Sequence, residues 1–230
     1  MMKKLLSILL LFVSFQALAG VDPKLLIRDL NKKFNQVSDY KADLYMEFNL
    51  PGVKMKNLKG KVVFKKPNKF KIKAKGIFFL PKQNPMQNMS EMLIDTNSYT
   101  SIISGYETVE GKNCAIVNII PLKAQDELIL GKFWIDIKNP LVYKSQITTK
   151  NNGTIETKSI YGNQIKYALP EKIIVKLEIN RIKVPKMMSV DLNKKSKPKT
   201  GIESKETGSI QLNFSNYSIN ANLSDAEFVD

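Results

Sequence analysis

The residue types that most often perform nucleophilic, acid–base or metal chemistry are almost absent from this sequence. Its 230 residues include no histidine and one cysteine, Cys114. Catalytic triads, histidine-based metalloprotease motifs and most imidazole-ligated metal sites therefore cannot be built. A single cysteine can form neither an internal disulfide nor a thiolate zinc cluster. No pair of carboxylates stands out either, so the sequence offers no obvious reaction centre and predicts no metal or cofactor.

The charged residues favour some partners over others. Lys and Arg number 36 against 21 Asp and Glu, giving a net charge of +15, yet only Arg28 and Arg181 are arginine. Arginine is the usual reader of phosphates and guanine edges, so nucleic acid is a poor candidate partner. The lysines could attract anionic lipid or an acidic protein through a diffuse field. They could equally be ordinary solvated surface residues.

Residues 1–19 have the features of a secretory signal peptide. Met1–Lys4 is a basic head, Leu5–Phe15 is apolar apart from serine, and Ala17–Ala19 is a small-residue exit. The alternative is a membrane anchor, but the apolar run falls short of the roughly 20 residues that a spanning helix needs. We therefore expect cleavage after Ala19 and export of residues 20–230 as one basic domain.

Hydrophobic periodicity predicts one helix followed by a mainly β chain. Asp22 and Pro23 can begin a helix, and apolar residues recur at helical spacing from Leu26 to Val37. From Tyr40 onwards the period is two, which is typical of half-buried strands. Further strands are predicted at about ten-residue spacing, as in a meander. They are 98–104, 113–121, 131–137, 142–149, 154–161, 172–179 and 210–219.

The hairpin formed by residues 58–65 and 69–75 is the most regular part of the sequence. Apolar side chains alternate with a row of lysines, so one face is apolar and the other is basic. A two-residue turn at Pro67 and Asn68 would put the apolar sets on opposite faces. A three-residue connection that includes Lys69 pairs Phe64 with Ile72, and we predict that connection or an equivalent bulge.

Two segments interrupt the strand pattern. Residues 186–208 are polar and lysine-rich, which predicts an exposed loop. Residues 77–93 are apolar, with methionines at helical spacing, which favours either a mobile lid over a cavity or a satellite core cluster. The predicted lid residues are Phe78, Phe79, Met86, Met89 and Met92.

The predicted sheet has more apolar surface than one short helix can cover. It must close around its own side chains or leave a cavity for an apolar ligand. We predict the cavity, with ordinary barrel core as the alternative. The predicted cavity wall consists of Leu44, Met46, Phe48, Val62, Phe64, Phe70 and Ile72.

Trp134 has the opposite parity to its apolar neighbours, so it is either a docking aromatic on the outer face or covered by a loop.

Four segments, in order, resemble the LolA-like family of periplasmic lipoprotein carriers and outer-membrane lipoprotein-sorting proteins. They are Leu30–Gly76, with the turn Lys-Lys-Pro-Asn-Lys-Phe, then Val109–Cys114, Gly131–Asp136 and Phe214–Asn220. The resemblance implies an incomplete antiparallel β-barrel of about eleven strands whose mouth is covered by helices. It also implies a protein that is not an enzyme.

The same resemblance implies a function and candidate partners, and this chain differs from the family at one position. It implies a periplasmic cavity that shields the acyl chains of a lipoprotein or lipid, with inner- and outer-membrane transfer proteins and transient membrane contact as candidate partners. The alternative is an envelope interaction or sensor module built on the same barrel. Where the family has an arginine that fastens the lid, this chain has Lys66. Lysine lacks the planar fork, so Lys66 would be a weaker lid latch.

Overall fold

A computed structural model describes residues 20–51, 55–74, 93, 96–123, 128–150, 153–178 and 207–229. The predicted signal peptide lies outside these residues, as do the predicted lid residues Phe78, Phe79, Met86, Met89 and Met92. Most of the predicted 186–208 loop lies outside them too. Its last two residues correct that prediction, because Thr207 and Gly208 begin a strand and pair with residues 178 and 177.

The described chain has one α-helix and ten strands. Helix α1 spans Pro23–Phe34 and begins at Asp22, whose Oδ1 accepts a hydrogen bond from the Lys24 amide at 2.8 Å. Two short 3-10 helices, Ile165–Tyr167 and Asp225–Phe228, follow later in the chain. The strands are β1 (Asp39–Asn49), β2 (Leu58–Lys65), β3 (Lys69–Ala74), β4 (Tyr99–Val109), β5 (Lys112–Pro121), β6 (Leu128–Asp136), β7 (Val142–Thr149), β8 (Gly153–Tyr161), β9 (Pro170–Glu178) and β10 (Thr207–Ile219).

All ten strands form one open antiparallel sheet in the order β3-β2-β1-β10-β9-β8-β7-β6-β5-β4. The predicted mainly β class and incomplete barrel are therefore confirmed. The first and last strands lie side by side, which leaves β3 and β4 at the two edges of the sheet. Residues 75–98 are the connection between these two edges. That segment includes the whole of the predicted lid.

The β2–β3 hairpin has the predicted loop length but a different register. Its three turn residues are Lys66–Asn68, one position earlier than predicted, so Phe64 pairs with Phe70 rather than with Ile72. The even offset still keeps the apolar side chains on one face. The shift also places Lys65 opposite Lys69. This like-charge pair is tolerated because the carboxylate of Asp225 lies 2.8 Å from one ammonium and 2.6 Å from the other.

The antiparallel strands end alternately at two rims of the half-barrel. One edge, which we call the lower rim, contains the short connections 66–68, 110–111, 137–141 and 162–169, together with residues 220–229. The other edge, which we call the upper rim, contains the connections 50–57, 75–98, 122–127, 150–152 and 179–206. Every lower-rim connection is described, whereas each upper-rim connection contains residues outside the described ranges.

Helix α1 packs on the inner face of one half of the sheet. Its buried residues Leu26, Ile27 and Leu30 contact apolar side chains of β4 to β7. Leu93, from the connection between the two sheet edges, is buried in the same cluster. Its carbonyl accepts hydrogen bonds from the Asn31 side chain and from the Tyr99 hydroxyl, each at 3.0 Å. The chain that joins the edges therefore reaches the inner face of the sheet.

Candidate functional site

The other half of the inner face carries an apolar cluster that helix α1 does not join. Among the described residues, every member of this strand cluster comes from β1, β2, β3, β9 or β10. Leu44 and Met46 are buried at its centre. The strand cluster consists of Leu44, Met46, Phe48, Leu58, Ile72, Ala74, Ile173, Ile210, Leu212 and Phe214.

A second group of apolar residues closes the lower rim beneath the strand cluster. The Tyr40 ring lies 5.4 Å from that of Phe64 and 5.8 Å from that of Tyr217. The Tyr217 hydroxyl donates to the Pro170 carbonyl at 2.8 Å, and burial raises its pKa far above the usual range. The phenol is therefore neutral and paired, as a buried group requires. We call this aromatic group, together with Val37, Val62, Phe70 and Leu169, the floor.

The structure divides the predicted cavity-wall residues between these two groups. Leu44, Met46 and Phe48 belong to the strand cluster, Ile72 contacts both groups, and Val62, Phe64 and Phe70 belong to the floor. All seven lie on the same face of the sheet. Their role as the wall of a ligand cavity stays a prediction.

Sequence reasoning missed the contributions of β9 and β10 to the inner face. Ile173, Ile210, Leu212 and Phe214 complete the strand cluster, with Leu212 opposite Met46 and Phe214 opposite Leu44. The alternation of apolar and polar residues from 210 to 214 was visible in the sequence. It could not show that the last strand lies beside the first.

A hydroxyl pair lies on the inner face between the helix-covered half and the strand cluster. Ser145 on β7 is buried, and its Oγ lies 2.7 Å from Oγ1 of Thr157 on β8. Phe133 and Val175 flank this pair on the neighbouring strands. The two hydroxyls satisfy each other, so this seam adds polarity to the inner face without a buried unpaired group.

Lys66, the predicted lid latch, holds the end of helix α1. Its Nζ donates to the Asn35 carbonyl at 3.0 Å and to Asn35 Oδ1 at 3.3 Å. Burial lowers the pKa of this ammonium group. The interaction joins the β2–β3 turn to the C-terminal end of the helix, where a cation is favoured by the helix dipole. Contact between Lys66 and the lid segment stays a prediction.

The lysine row on the outer face of β2 and β3 binds the chain's own C-terminal segment, residues 221–229. Lys65 and Lys69 pair with Asp225, while Lys41 and Lys73 lie 3.0 and 2.5 Å from Glu227. Lys65 also donates to the Leu223 carbonyl and Lys71 to the Val229 carbonyl. Val63, which lies between these lysines on β2, is fully buried. In this structure the lysine row is therefore engaged within the chain.

We predict that acid releases the C-terminal segment. Hydrogen bonds from Lys65 and Lys69 lower the pKa of Asp225 to about 2, and those from Lys73 and Lys41 lower the pKa of Glu227 to about 2. Because these pKa values are depressed in the folded state, the attraction is complete above the ordinary values of 3.8 and 4.5 and is lost as the pH falls towards 2. Amide hydrogen exchange of residues 225–228 across this range measures the release.

Substitutions separate carboxylate pairing from general acid unfolding. Asp225→Asn with Glu227→Gln is expected to raise exchange in residues 225–228 already at neutral pH. Glu110→Gln, which removes a carboxylate paired with Lys158 elsewhere on the surface, should leave that exchange unchanged. Unchanged protection of the wild-type segment near its folded-state pKa values would contradict the prediction.

The Cys114 thiol and the Trp134 indole lie outside the strand cluster, and neither is available for chemistry. Burial raises the pKa of Cys114 to about 11, so its thiol stays neutral. Trp134 is also buried, and its Nε1 donates to Glu107 Oε2 at 2.5 Å. Lys144 and Lys132 lie 4.5 and 5.2 Å from the centre of its ring. Trp134 also shares a buried cluster with Leu141 and Ala168 of the lower-rim connections, so it is not an exposed docking residue.

The outer face carries a polar groove near the upper rim. The groove has a volume of about 500 Å³ and is lined on neighbouring strands by Gln146, Glu156, Lys176 and Ser209. Gln146 Nε2 donates to Glu156 at 2.9 Å, and Lys144 and Lys176 lie within 4 Å of the same carboxylate. Burial opposes ionisation of Glu156, but these partners prevail and its pKa lies below the ordinary value. This groove is not the predicted apolar cavity, which belongs to the opposite face.

Comparison with solved structures identifies the fold. A LolA superfamily protein of Nitrosomonas europaea matches 92% of this chain and 99% of its own, with a TM-score of 0.56 at 10% identity. A putative outer membrane lipoprotein-sorting protein domain of Vibrio parahaemolyticus matches 88% of this chain and 95% of its own, with a TM-score of 0.54 at 9% identity. This chain has a LolA-like fold.

The LolA-like fold is shared at very low sequence identity. A DUF1329 family protein of Desulfovibrio piger matches 91% of this chain and 98% of its own, with a TM-score of 0.51 at 14% identity. No protein-family model and no curated protein matches the sequence. At these identities the likeness establishes the fold, which the sequence motifs predicted.

The described residues include neither a candidate membrane-crossing helix nor a candidate metal site. No helical segment there has both the length and the apolar character that a membrane crossing requires. No group of three or more histidine, cysteine, aspartate or glutamate side chains in those ranges could hold a metal ion.

Proposed function

We propose that this protein is a periplasmic carrier that shields the acyl chains of a lipoprotein or lipid within its half-barrel. The observation that carries the proposal is the strand cluster, an apolar inner face formed by five strands that helix α1 does not cover. Apolar surface of this kind is stable in water only when something apolar lies against it. Acyl chains are ligands with the required chemistry.

The topology supports a cavity that opens at one end. The floor closes the lower rim with packed aromatic rings, whereas the connection 75–98 runs between the two sheet edges at the upper rim. Leu93 in that connection already contacts the inner face. We propose that residues 77–93 form the lid, with the predicted wall residues and β9 and β10 lining the space beneath it.

Reversible transport requires that the cavity be partly filled when no cargo is present. Moving one methylene group from water into an apolar site contributes about 0.8 kcal/mol, so two long acyl chains represent tens of kcal/mol of gross transfer free energy. A carrier that retained all of it could not release its cargo. Apolar lid residues that the cargo must displace would reduce the net affinity.

The fold comparisons support the same class of function. Two of the similar structures are named as a LolA superfamily protein and a lipoprotein-sorting domain. By analogy we propose export through a signal peptide, a single domain over residues 20–230, and no enzymatic activity. We also propose transfer proteins in the inner and outer membranes as partners, with transient contact at the membrane surface.

We predict that Ile173→Glu weakens binding of a fluorescent fatty acid by at least about tenfold, because it places a carboxylate against the hydrocarbon chain. Ile173 lies on the inner face of β9, opposite Leu212 and Ser159. Its neighbour Ile174 lies on the outer face, opposite Gln211 and Lys158. Fluorescence titration with dansylated undecanoic acid measures the dissociation constant.

Ile174→Glu is the matched control, since it makes the same chemical change at the next position on the opposite face. It should bind the probe as the wild type does. Phe64→Glu is less suitable, because Phe64 is packed in the floor and the substitution would test folding. Equal affinities for the two isoleucine variants, both folded by circular dichroism, would contradict the proposal, as would a wild-type protein that binds no fatty acid.

A further inference from the structure

Exposed apolar side chains are concentrated at one end of the sheet. Of the eight large apolar side chains that are exposed among the described residues, five lie on β4 to β6 or at their ends. One of them, Tyr106, lies opposite the inner-face residue Ala115, and the other four are aliphatic. Their exposed fractions are 47% for Ile102, 43% for Ile120, 62% for Leu122 and 50% for Ile129. We call these four residues the apolar tip. Exposed apolar side chains grouped on neighbouring strands indicate a candidate interaction site.

The backbone holds the apolar tip in a defined position at the upper rim. Ile120 and Ile102 lie on the outer face of neighbouring strands, opposite Thr100 and Asn118 respectively. The Leu122 amide donates to the Ser98 carbonyl at 2.9 Å, which fixes the end of β5 against the start of β4. Ile129 lies at a register shift in β6 and is half exposed.

The apolar tip is not a misplaced part of the core. None of its four residues belongs to any of the buried clusters of the described chain. The alternate residues Val117 and Ile119 on β5 already supply the core and are fully buried. Folding of this half of the sheet therefore does not explain the exposed isoleucine and leucine side chains.

The chemistry around the apolar tip favours a lipid surface over a protein partner. The four residues are aliphatic, whereas protein-binding hot spots are enriched in tryptophan, tyrosine and arginine. Lys123 follows Leu122 directly, and Lys132 lies beside Asn118, the neighbour of Ile102. Aliphatic residues that enter the acyl boundary, flanked by lysines that remain among anionic headgroups, form a typical interfacial membrane contact. The net charge of +15 adds long-range attraction.

We infer that the apolar tip docks the protein on an anionic bilayer, with Ile120, Leu122 and Ile129 inserted at the headgroup boundary. This inference rests on the transient membrane contact of the proposed function and names the surface that makes that contact. It also defines the side that faces the membrane, namely the upper rim. Its test does not require a filled cavity.

The test is co-sedimentation of the purified protein with large unilamellar vesicles of phosphatidylcholine containing about 30 mol % phosphatidylglycerol, compared with phosphatidylcholine alone. Wild-type protein is expected to bind the anionic vesicles and to be released by salt. Leu122→Asn with Ile129→Asn should reduce the partition coefficient by about tenfold or more. Leu25→Asn, which changes a similarly exposed leucine on helix α1, is the matched control and should bind as the wild type does.

Charge substitutions test the electrostatic half of the inference. Lys123→Gln should weaken binding to the anionic vesicles and leave binding to phosphatidylcholine vesicles unchanged. Asp126→Asn with Glu127→Gln, which removes two carboxylates from the sequence between β5 and β6, should strengthen it. The opposite response to either change would overturn the inference.

Three outcomes distinguish this inference from its alternatives. Unchanged vesicle binding by the Leu122 and Ile129 double variant would overturn it. A concentration-dependent dimer that the same substitutions abolish would identify a second copy of the chain as the occupant and would also overturn it. Ile173→Glu is expected to lose the fatty acid and keep vesicle binding, so the carrier proposal and the docking inference can fail separately.

Discussion

Replacing Trp134 with alanine is expected to lower the free energy of unfolding by about 3 to 5 kcal/mol, the range for large aromatic side chains removed from a packed site. Trp134 is almost fully buried although it belongs to the outer row of β6, where Lys144 is its partner on β7. The substitution removes the ring that packs against both lysine side chains. It also leaves the Glu107 carboxylate without its indole donor. Urea denaturation followed by circular dichroism measures the change.

Trp134→Phe separates packing from hydrogen bonding. Phenylalanine keeps an aromatic face for the lysines but lacks Nε1, so its cost should be near the roughly 1 to 3 kcal/mol of an unmade charged hydrogen bond and some lost packing. A loss below about 1 kcal/mol in the alanine variant would show that Trp134 contributes no more than an ordinary surface residue.

Replacing Asp39 with alanine is expected to lower the free energy of unfolding by about 2 to 4 kcal/mol, because it removes a buried carboxylate that holds two backbone amides. The Asp39 carboxylate is buried at the start of β1 and accepts from the amides of Ala221 and Asn222 at 2.9 and 3.2 Å. The Asp39 carbonyl accepts from the Asn220 amide at 2.8 Å. Asp39 therefore joins the first strand to the chain that leaves the last strand. Urea denaturation measures the loss.

Two substitutions provide the comparison for Asp39. Asp39→Asn keeps one side-chain acceptor and should lose less stability than the alanine variant. Asp29→Ala removes a partly exposed carboxylate on helix α1 that pairs with Arg28 and Lys32, and should change stability by less than about 1 kcal/mol. Similar losses for Asp39→Ala and Asp29→Ala would contradict the special role of Asp39.

Local patterns in the sequence predicted most individual elements, because their physical causes are local. The Asp22 cap and the spacing of Leu26 and Leu30 are sufficient to specify helix α1. The alternation from Tyr40 to Asn49 follows directly from the two faces of a strand. Turn length in the β2–β3 hairpin followed from parity, since only an odd turn keeps Phe64 on the face of the other apolar residues.

Features that depend on distant contacts could not be predicted from local patterns. The exact register of the same hairpin depends on Asp225, more than 150 positions away, which stabilises the pairing of Lys65 with Lys69. Trp134 is buried in a cluster with Leu141 and Ala168, which belong to other segments of the chain, and lysine side chains lie over its ring; periodicity cannot show these contacts.

The candidate site shows the same division between local and distant causes. Alternation placed Leu44, Met46 and Phe48 on the inner face, where the structure has them in the strand cluster. The partners of these residues on β10 required the knowledge that the chain returns to its first strand. Val62 and Phe64 share the same alternation but lie lower along the strands, in the floor. Depth within a half-barrel is a property of the whole sheet, and periodicity does not encode it.

In the carrier that we propose, the floor would determine the order of events in transport. If the floor closes the lower rim, the proposed cavity opens only at the upper rim. Cargo that enters from a donor must then leave through the same opening. Donor and acceptor would then compete for one portal and could not be connected through the protein at the same time. The carrier would therefore bind donor and acceptor one after the other, and the loaded protein would leave one membrane before it binds the next.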